Sequence, residues 1–205
     1  MTARELIDAA AGLLVDLDGT LVDSSAPVER VWTDFASRHG LEPVAVLRFA
    51  QGRPSRETVR LLAPQADPDR EAQIVEQGEV GDPDGVVALP GAAALLNSGR
   101  RLAIVTSCSA ALARVRLDAA GLPHPPVIVS SDMVVRGKPE PECFRAGAER
   151  LSTLPGHCVV FEDSPAGVQA GRAAGARVVA LRTTHPEAEL VGASVVIDDL
   201  SALRW

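Results

Sequence analysis

The stretch Gly12-Leu13-Leu14-Val15-Asp16-Leu17-Asp18-Gly19-Thr20 decides the fold of this chain. An apolar run over 12–17 has the length of a buried strand, and Asp16-Leu17-Asp18-Gly19-Thr20 closes it with turn-forming residues. Two carboxylates two residues apart on such a turn can face one ligand. One can attack as a nucleophile, and aspartate accepts phosphoryl groups; the other can transfer protons. Alone the motif is weak, because Asp and Gly are ordinary turn residues.

Working outward, similar apolar runs recur at 101–107, 126–130, 158–162 and 177–181, with a weaker one at 194–197. Helical patterns separate most of them, at 90–98, 110–120, 141–151 and 165–174, and three of these stop at a glycine (Gly99, Gly121, Gly175). Strands alternating with helices predict an α/β fold, a doubly wound parallel (Rossmann-like) sheet covered on both faces. The interval 24–89 breaks the alternation with helical stretches at 28–39, 44–50, 55–62 and 69–77. It reads as a small helical cap inserted after the first strand, with 23–25 and 81–85 as its linkers. The domain expectation is a catalytic core of 1–23 and 86–205 and a cap of 24–85.

The other strand ends also carry chemistry. Val105-Thr106-Ser107 ends the second core strand with hydroxyls that can hold phosphate oxygens. Lys138 precedes Pro139 and a helix; it is the only lysine among 20 basic residues, and an ammonium there offsets charge on a nucleophile and a phosphate. Glu162-Asp163 ends the fourth core strand, and hard oxygen ligands of this kind suit Mg²⁺. Each has a plain alternative: a helix cap for Thr106-Ser107, chance for Lys138, and a favourable helix start for Glu162-Asp163. Four strand-end or helix-start sites supplying this set together argue for a site.

The four motifs Asp16–Ser24, Val105-Thr106-Ser107, Gly137-Lys138-Pro139 and Phe161–Gly167 resemble, in order, those of the haloacid dehalogenase superfamily. The stretches 22–24, 28–32, 88–92, 104–107 and 135–139 resemble its sugar-phosphate phosphatase and β-phosphoglucomutase-like branch. The resemblance implies Asp16 as nucleophile and metal ligand. It implies Asp18 as general acid/base, its backbone carbonyl also on the metal. Asp163 is implied as a direct ligand, Glu162 as a direct or outer one, and Mg²⁺ as the ion. Ser107, or Thr106 by a one-residue shift, grips phosphate, and Lys138 steadies the phosphate and Asp16. Cys108 adjoins this loop, and Gln51, Gly52, Arg53 and Arg56 of the cap are the expected substrate contacts, although many relatives carry histidine where this chain has Gln51.

The expected function is a Mg²⁺-dependent phosphatase of small phosphorylated metabolites, sugar or polyol phosphates, acting through an aspartyl-phosphate. A β-phosphoglucomutase-like mutase is the alternative; its cap typically supplies an arginine and a lysine, and this cap has no lysine. Asp18 argues against dehalogenation, and the absence of a cap lysine argues against Schiff-base chemistry. A non-enzymatic binding module is disfavoured by the intact catalytic positions. A net charge of -7 with no long basic run argues against nucleic acid. The apolar runs are too short to span a bilayer, and residues 1–11, a short helix or arm, lack the pattern of a signal peptide. Cys108, Cys143 and Cys158 read as reduced thiols. The expectation is a cytoplasmic monomer or weak homodimer.

Overall fold

The computed structural model describes residues 1–50 and 53–205. In chain order the elements are α1 (Ala3–Ala9), β1 (Gly12–Val15), β2 (Val22–Asp23), α2 (Ser25–His39), α3 (Pro43–Ala50), α4 (Ser55–Leu62) and α5 (Pro68–Gly81). There follow β3 (Val87–Ala88), α6 (Ala92–Leu96), β4 (Leu102–Val105), α7 (Ala110–Ala119), β5 (Ile128–Val129), α8 (Glu142–Arg150), β6 (Cys158–Glu162), α9 (Pro165–Ala174), β7 (Arg177–Leu181) and β8 (Val195–Ile197).

Six strands form one parallel sheet in the order β5-β4-β1-β6-β7-β8. Apart from Glu162 at the end of β6 and Arg177 at the start of β7, the strands are apolar without interruption because both faces are covered. Alternation along each strand divides the core. Leu13, Val15, Ile104, Val159, Phe161, Val179 and Leu181 pack on one face. Leu14, Ala103, Val105, Val160, Val178 and Ala180 pack on the other. The chain builds outward from β1 to one side, then crosses over to build the other. The carboxyl end of β1 is therefore a topological switch point, where ligands of open α/β sheets bind.

The expected fold is present, with differences at element ends. The helix expected over 90–98 is only Ala92–Leu96, because Gly91 takes φ 84° where it lies against the backbone of Leu200 and Ser201. The strand expected over 12–17 stops at Val15, where the chain turns. A short antiparallel ribbon, β2 with β3, was not expected; it joins the residues that lead into and out of the helical segment. Two-residue strands leave no periodicity to read. Ser25 already belongs to α2, and α5 runs to Gly81, so both expected linkers are shorter than 23–25 and 81–85. The helices α2–α5 gather around their own apolar cluster, including Trp32, Phe35, Val46, Val59 and Val75. Among the described residues no helix is long and apolar enough to cross a membrane.

Candidate active site

The turn after β1 begins the site. Leu17 carbonyl accepts from the N–H groups of Thr20, Leu21 and Val22, folding residues 17–22 into a tight loop. Gly19 has φ 79°, and a Cβ there would overlap the Asp163 carboxylate. Only glycine lets the loop and the end of β6 approach this closely. Asp16 is held by its N–H donating to Phe161 carbonyl at 3.0 Å.

Around Asp16 lies a buried ionic cluster. The Lys138 ammonium donates to the Asp16 carboxylate, to Glu162 at 2.6 Å and to Val105 carbonyl at 3.2 Å. Asp16, Glu162 and Asp163 each place a carboxylate oxygen within 4.8 Å of the others. Three buried carboxylates face one ammonium, an excess of acidic groups whose full ionisation burial opposes. Burial pushes the Asp16 carboxyl well above its usual range, Lys138 opposes this, and Glu162 and Asp163 add to it. Burial, reinforced by Glu162, raises Asp163 to about 7. Burial disfavours the Lys138 ammonium, but Asp16 and Glu162 more than compensate and leave its pKa raised. An all-oxygen, electron-rich, buried set of this kind fits a hard divalent cation.

Glu162 differs from the other two acids. One oxygen accepts from Lys138, and the other from the N–H groups of Asp163 and Ser164 and the Ser164 hydroxyl, each at 2.9 Å. It braces the start of α9, where a Cβ at Gly167 would collide with its carboxylate. Ser164 caps that helix by accepting from Gly167 N–H at 3.1 Å. Asp163 accepts from the Thr184 hydroxyl.

A cleft of ≈ 740 Å³ opens over the cluster, between the sheet edge and α2–α5. Asp16, Asp18, Ser107, Cys108, Lys138, Glu162, Asp163, Arg53 and Arg56 all line it. Thr106 does not: it is buried, and its hydroxyl accepts from Cys108 N–H at 3.2 Å, forming the turn that leaves Ser107 facing the cleft. Burial pushes the Cys108 thiol up to about 12, so it is a neutral wall. Arg53 stacks over the Phe49 ring at 4.6 Å, and Arg56 pairs with Asp69. Gln51 and Gly52 lie outside the described residues.

The sequence reading missed several lining residues: Arg48, Glu76, Glu79, Ser109, Arg116 and Thr184. Thr184 had a signal, since it follows a strand at the same sheet edge. Arg116 had none, being a charged residue within an ordinary helical pattern, and neither had Glu79, which lies two residues past the helix expected over 69–77. Burial raises Glu79 to about 7, against the pull of Arg116.

The site is thus a buried acidic cluster with one lysine at the switch point of a doubly wound sheet. The family model for haloacid dehalogenase-like hydrolase matches residues 11–175, and the chain belongs to that family. It is 43% identical over 199 residues to hexitol phosphatase A of Escherichia coli strain K12, covering 94% of this chain and 92% of that protein. It is 34% identical to validoxylamine A 7'-phosphate phosphatase of Streptomyces hygroscopicus subsp. limoneus, over 94% and 95% of the two chains. With these relatives it is an enzyme of the phosphatase type. Among solved structures, β-phosphoglucomutase from Clostridium difficile shares the fold with TM-score 0.83 and 21% identity, over 96% of this chain and 94% of that one.

Proposed function

We propose that the chain hydrolyses phosphate monoesters of small sugars or polyols through a phospho-aspartate at Asp16. The observation that carries this reading is the pairing of Asp16 with Lys138 at the floor of a cleft that Asp18 and Ser107 also line. The names of the two phosphatase relatives support the substrate class.

Asp16 attacks phosphorus, the bond from phosphorus to the sugar oxygen breaks, and Asp18 gives that oxygen a proton. Water then attacks the acyl phosphate, Asp18 takes its proton, and inorganic phosphate leaves. Ser107 and Lys138 hold the phosphate oxygens. Asp16 and Asp163, with the Asp18 backbone carbonyl, would hold Mg²⁺, and Glu162 would orient Lys138 and the Asp163 loop. The ion, when bound, supplies positive charge against the anionic substrate. Helices α2–α5, residues 24–85, act as a cap that seats the polyol and limits water.

Ser107→Ala is expected to lower kcat/KM about 10–100-fold, the scale of a hydrogen bond to a charged group. Thr106→Val is expected to act mainly on stability, by about 1 kcal/mol, through the lost turn bond. Kinetics and thermal melts of the two variants check this; the reverse pattern would move the phosphate grip to Thr106.

A mutase would use the same phospho-aspartate but needs a second anion site in the cap. Arg56 is engaged by Asp69, and the cap has no lysine, which supports hydrolysis. Given β-glucose 1-phosphate with a trace of glucose 1,6-bisphosphate, the enzyme is expected to release free phosphate. It should also release phosphate from hexitol phosphates with no bisphosphate primer. Glucose 6-phosphate formed much faster than free phosphate would establish the mutase instead.

A further inference from the structure

Asp18, the proton carrier of the proposed mechanism, is held on both oxygens. One accepts from the Ser24 hydroxyl at 2.7 Å, and the other from the Arg116 guanidinium at 2.6 Å. Ser24 sits at the N-cap of α2 but makes no side-chain cap bond there; its hydroxyl is committed to Asp18. Arg116 comes from α7 on the core side, and its side chain is only 6% exposed. Two donors on different oxygens define the plane of the carboxylate.

The guanidinium does not end at Asp18. Its other edge donates to Glu79 on α5, whose side chain is also 6% exposed. One turn earlier on α5, Glu76 accepts from the Ser109 hydroxyl, the N-cap of α7. Glu76 and Glu79 are three residues apart and Ser109 and Arg116 seven, so each pair lies on one helix face. The two helices meet along a polar seam at the cleft wall. Breaking this seam by moving α5 away would leave the Arg116 charge with one carboxylate fewer in a buried place, which is costly. The orientation of Asp18 is thereby tied to the position of α5.

We propose that Arg116 is a positioning residue for Asp18, and that Glu79 completes it from the helical segment, so that proton transfer is aligned when α5 lies against α7. This rests on the phosphatase reading above. Arg116 acts through Asp18, so its loss should weigh on reactions that need a proton delivered to the leaving oxygen. A polyol leaves as an alcohol and needs that proton. p-Nitrophenol leaves as a stabilised anion and needs it far less.

The test compares a hexitol phosphate with p-nitrophenyl phosphate. Arg116→Met alone would strand Glu79 as a buried, unpaired carboxylate, so the main variant is Arg116→Met with Glu79→Met, which removes both charges. The ratio of kcat/KM on hexitol phosphate to kcat/KM on p-nitrophenyl phosphate, which reports the phosphoryl-transfer step and not the shared hydrolysis of the phospho-aspartate, is expected to fall at least about tenfold, a fraction of the 10²–10⁴ that proton transfer contributes. Arg116→Lys, which keeps the charge without the two-edged fork, is expected to give an intermediate ratio. It also serves as the test if the double variant does not fold. An unchanged ratio in either folded variant, whether both activities fall together or neither falls, would overturn the proposal. Wild-type protein that releases phosphate from neither compound would instead overturn the phosphatase reading, and this proposal with it.

Discussion

Asp16→Asn is expected to abolish phosphate release, with a loss of at least about 10⁴-fold, on the scale seen when an enzyme loses its nucleophile. An amide oxygen is too weak a nucleophile to form the acyl phosphate, and no neighbour can replace it. Asp18 is held by Ser24 and Arg116, Glu162 by four donors, and Asp163 lies beyond the Gly19 turn. The fold should survive, because Lys138 keeps Glu162 and the Val105 carbonyl as partners. Asp18→Asn is expected to lose less, about 10²–10⁴-fold. Phosphate release and a thermal melt on the same preparations separate chemistry from folding. Near-normal turnover of p-nitrophenyl phosphate by Asp16→Asn would refute the covalent route.

Chelation should be as severe. Treatment with EDTA is expected to reduce activity to background, and Mg²⁺ to restore it. The physical ground is the buried charge: Asp16, Glu162 and Asp163 against Lys138, with burial pushing both Asp16 and Asp163 upward. A divalent ion relieves that excess, so binding should also stabilise the folded chain. At a hundredfold excess over Kd the gain is about 2.7 kcal/mol. For a chain of this size that is roughly 5–10 °C in Tm. Asp163→Asn, which keeps the shape and removes one charge, should lose most of this shift. A melting temperature indifferent to Mg²⁺ in the unaltered protein, with full activity after exhaustive chelation, would remove the metal from the site.

These expectations draw on parts of the molecule that were unequally legible. The runs 158–162 and 177–181 became strands with the bounds read from sequence, as did the helices 55–62 and 165–174. The two strands are short apolar runs bounded by polar residues, and the helix 165–174 has clear end signals in the Ser164 cap and Gly175 at φ 91°. Where an end depends on a distant neighbour, as at Gly91 against Leu200, the local pattern ran too long. The gathering of Asp16, Ser107, Lys138 and Asp163 was legible because a parallel sheet sends all its strand ends to one edge. Which hydroxyl of Thr106-Ser107 faces the cleft was not, since that depends on a turn bond from Cys108 N–H to the Thr106 hydroxyl.

By itself, then, the sequence determined the parallel sheet, its switch point and the chemical character of each strand end, because these follow from short-range periodicity and turn chemistry. The tertiary structure alone decided that Glu162 is saturated as a brace, and that Arg116 joins Asp18 to Glu79. Arg116 and Glu79 lie 37 residues apart on separate helices. A helical pattern states which face a charged residue occupies. Its partner is chosen only when α5 packs on α7, and burial there makes an unpaired charge too costly to leave.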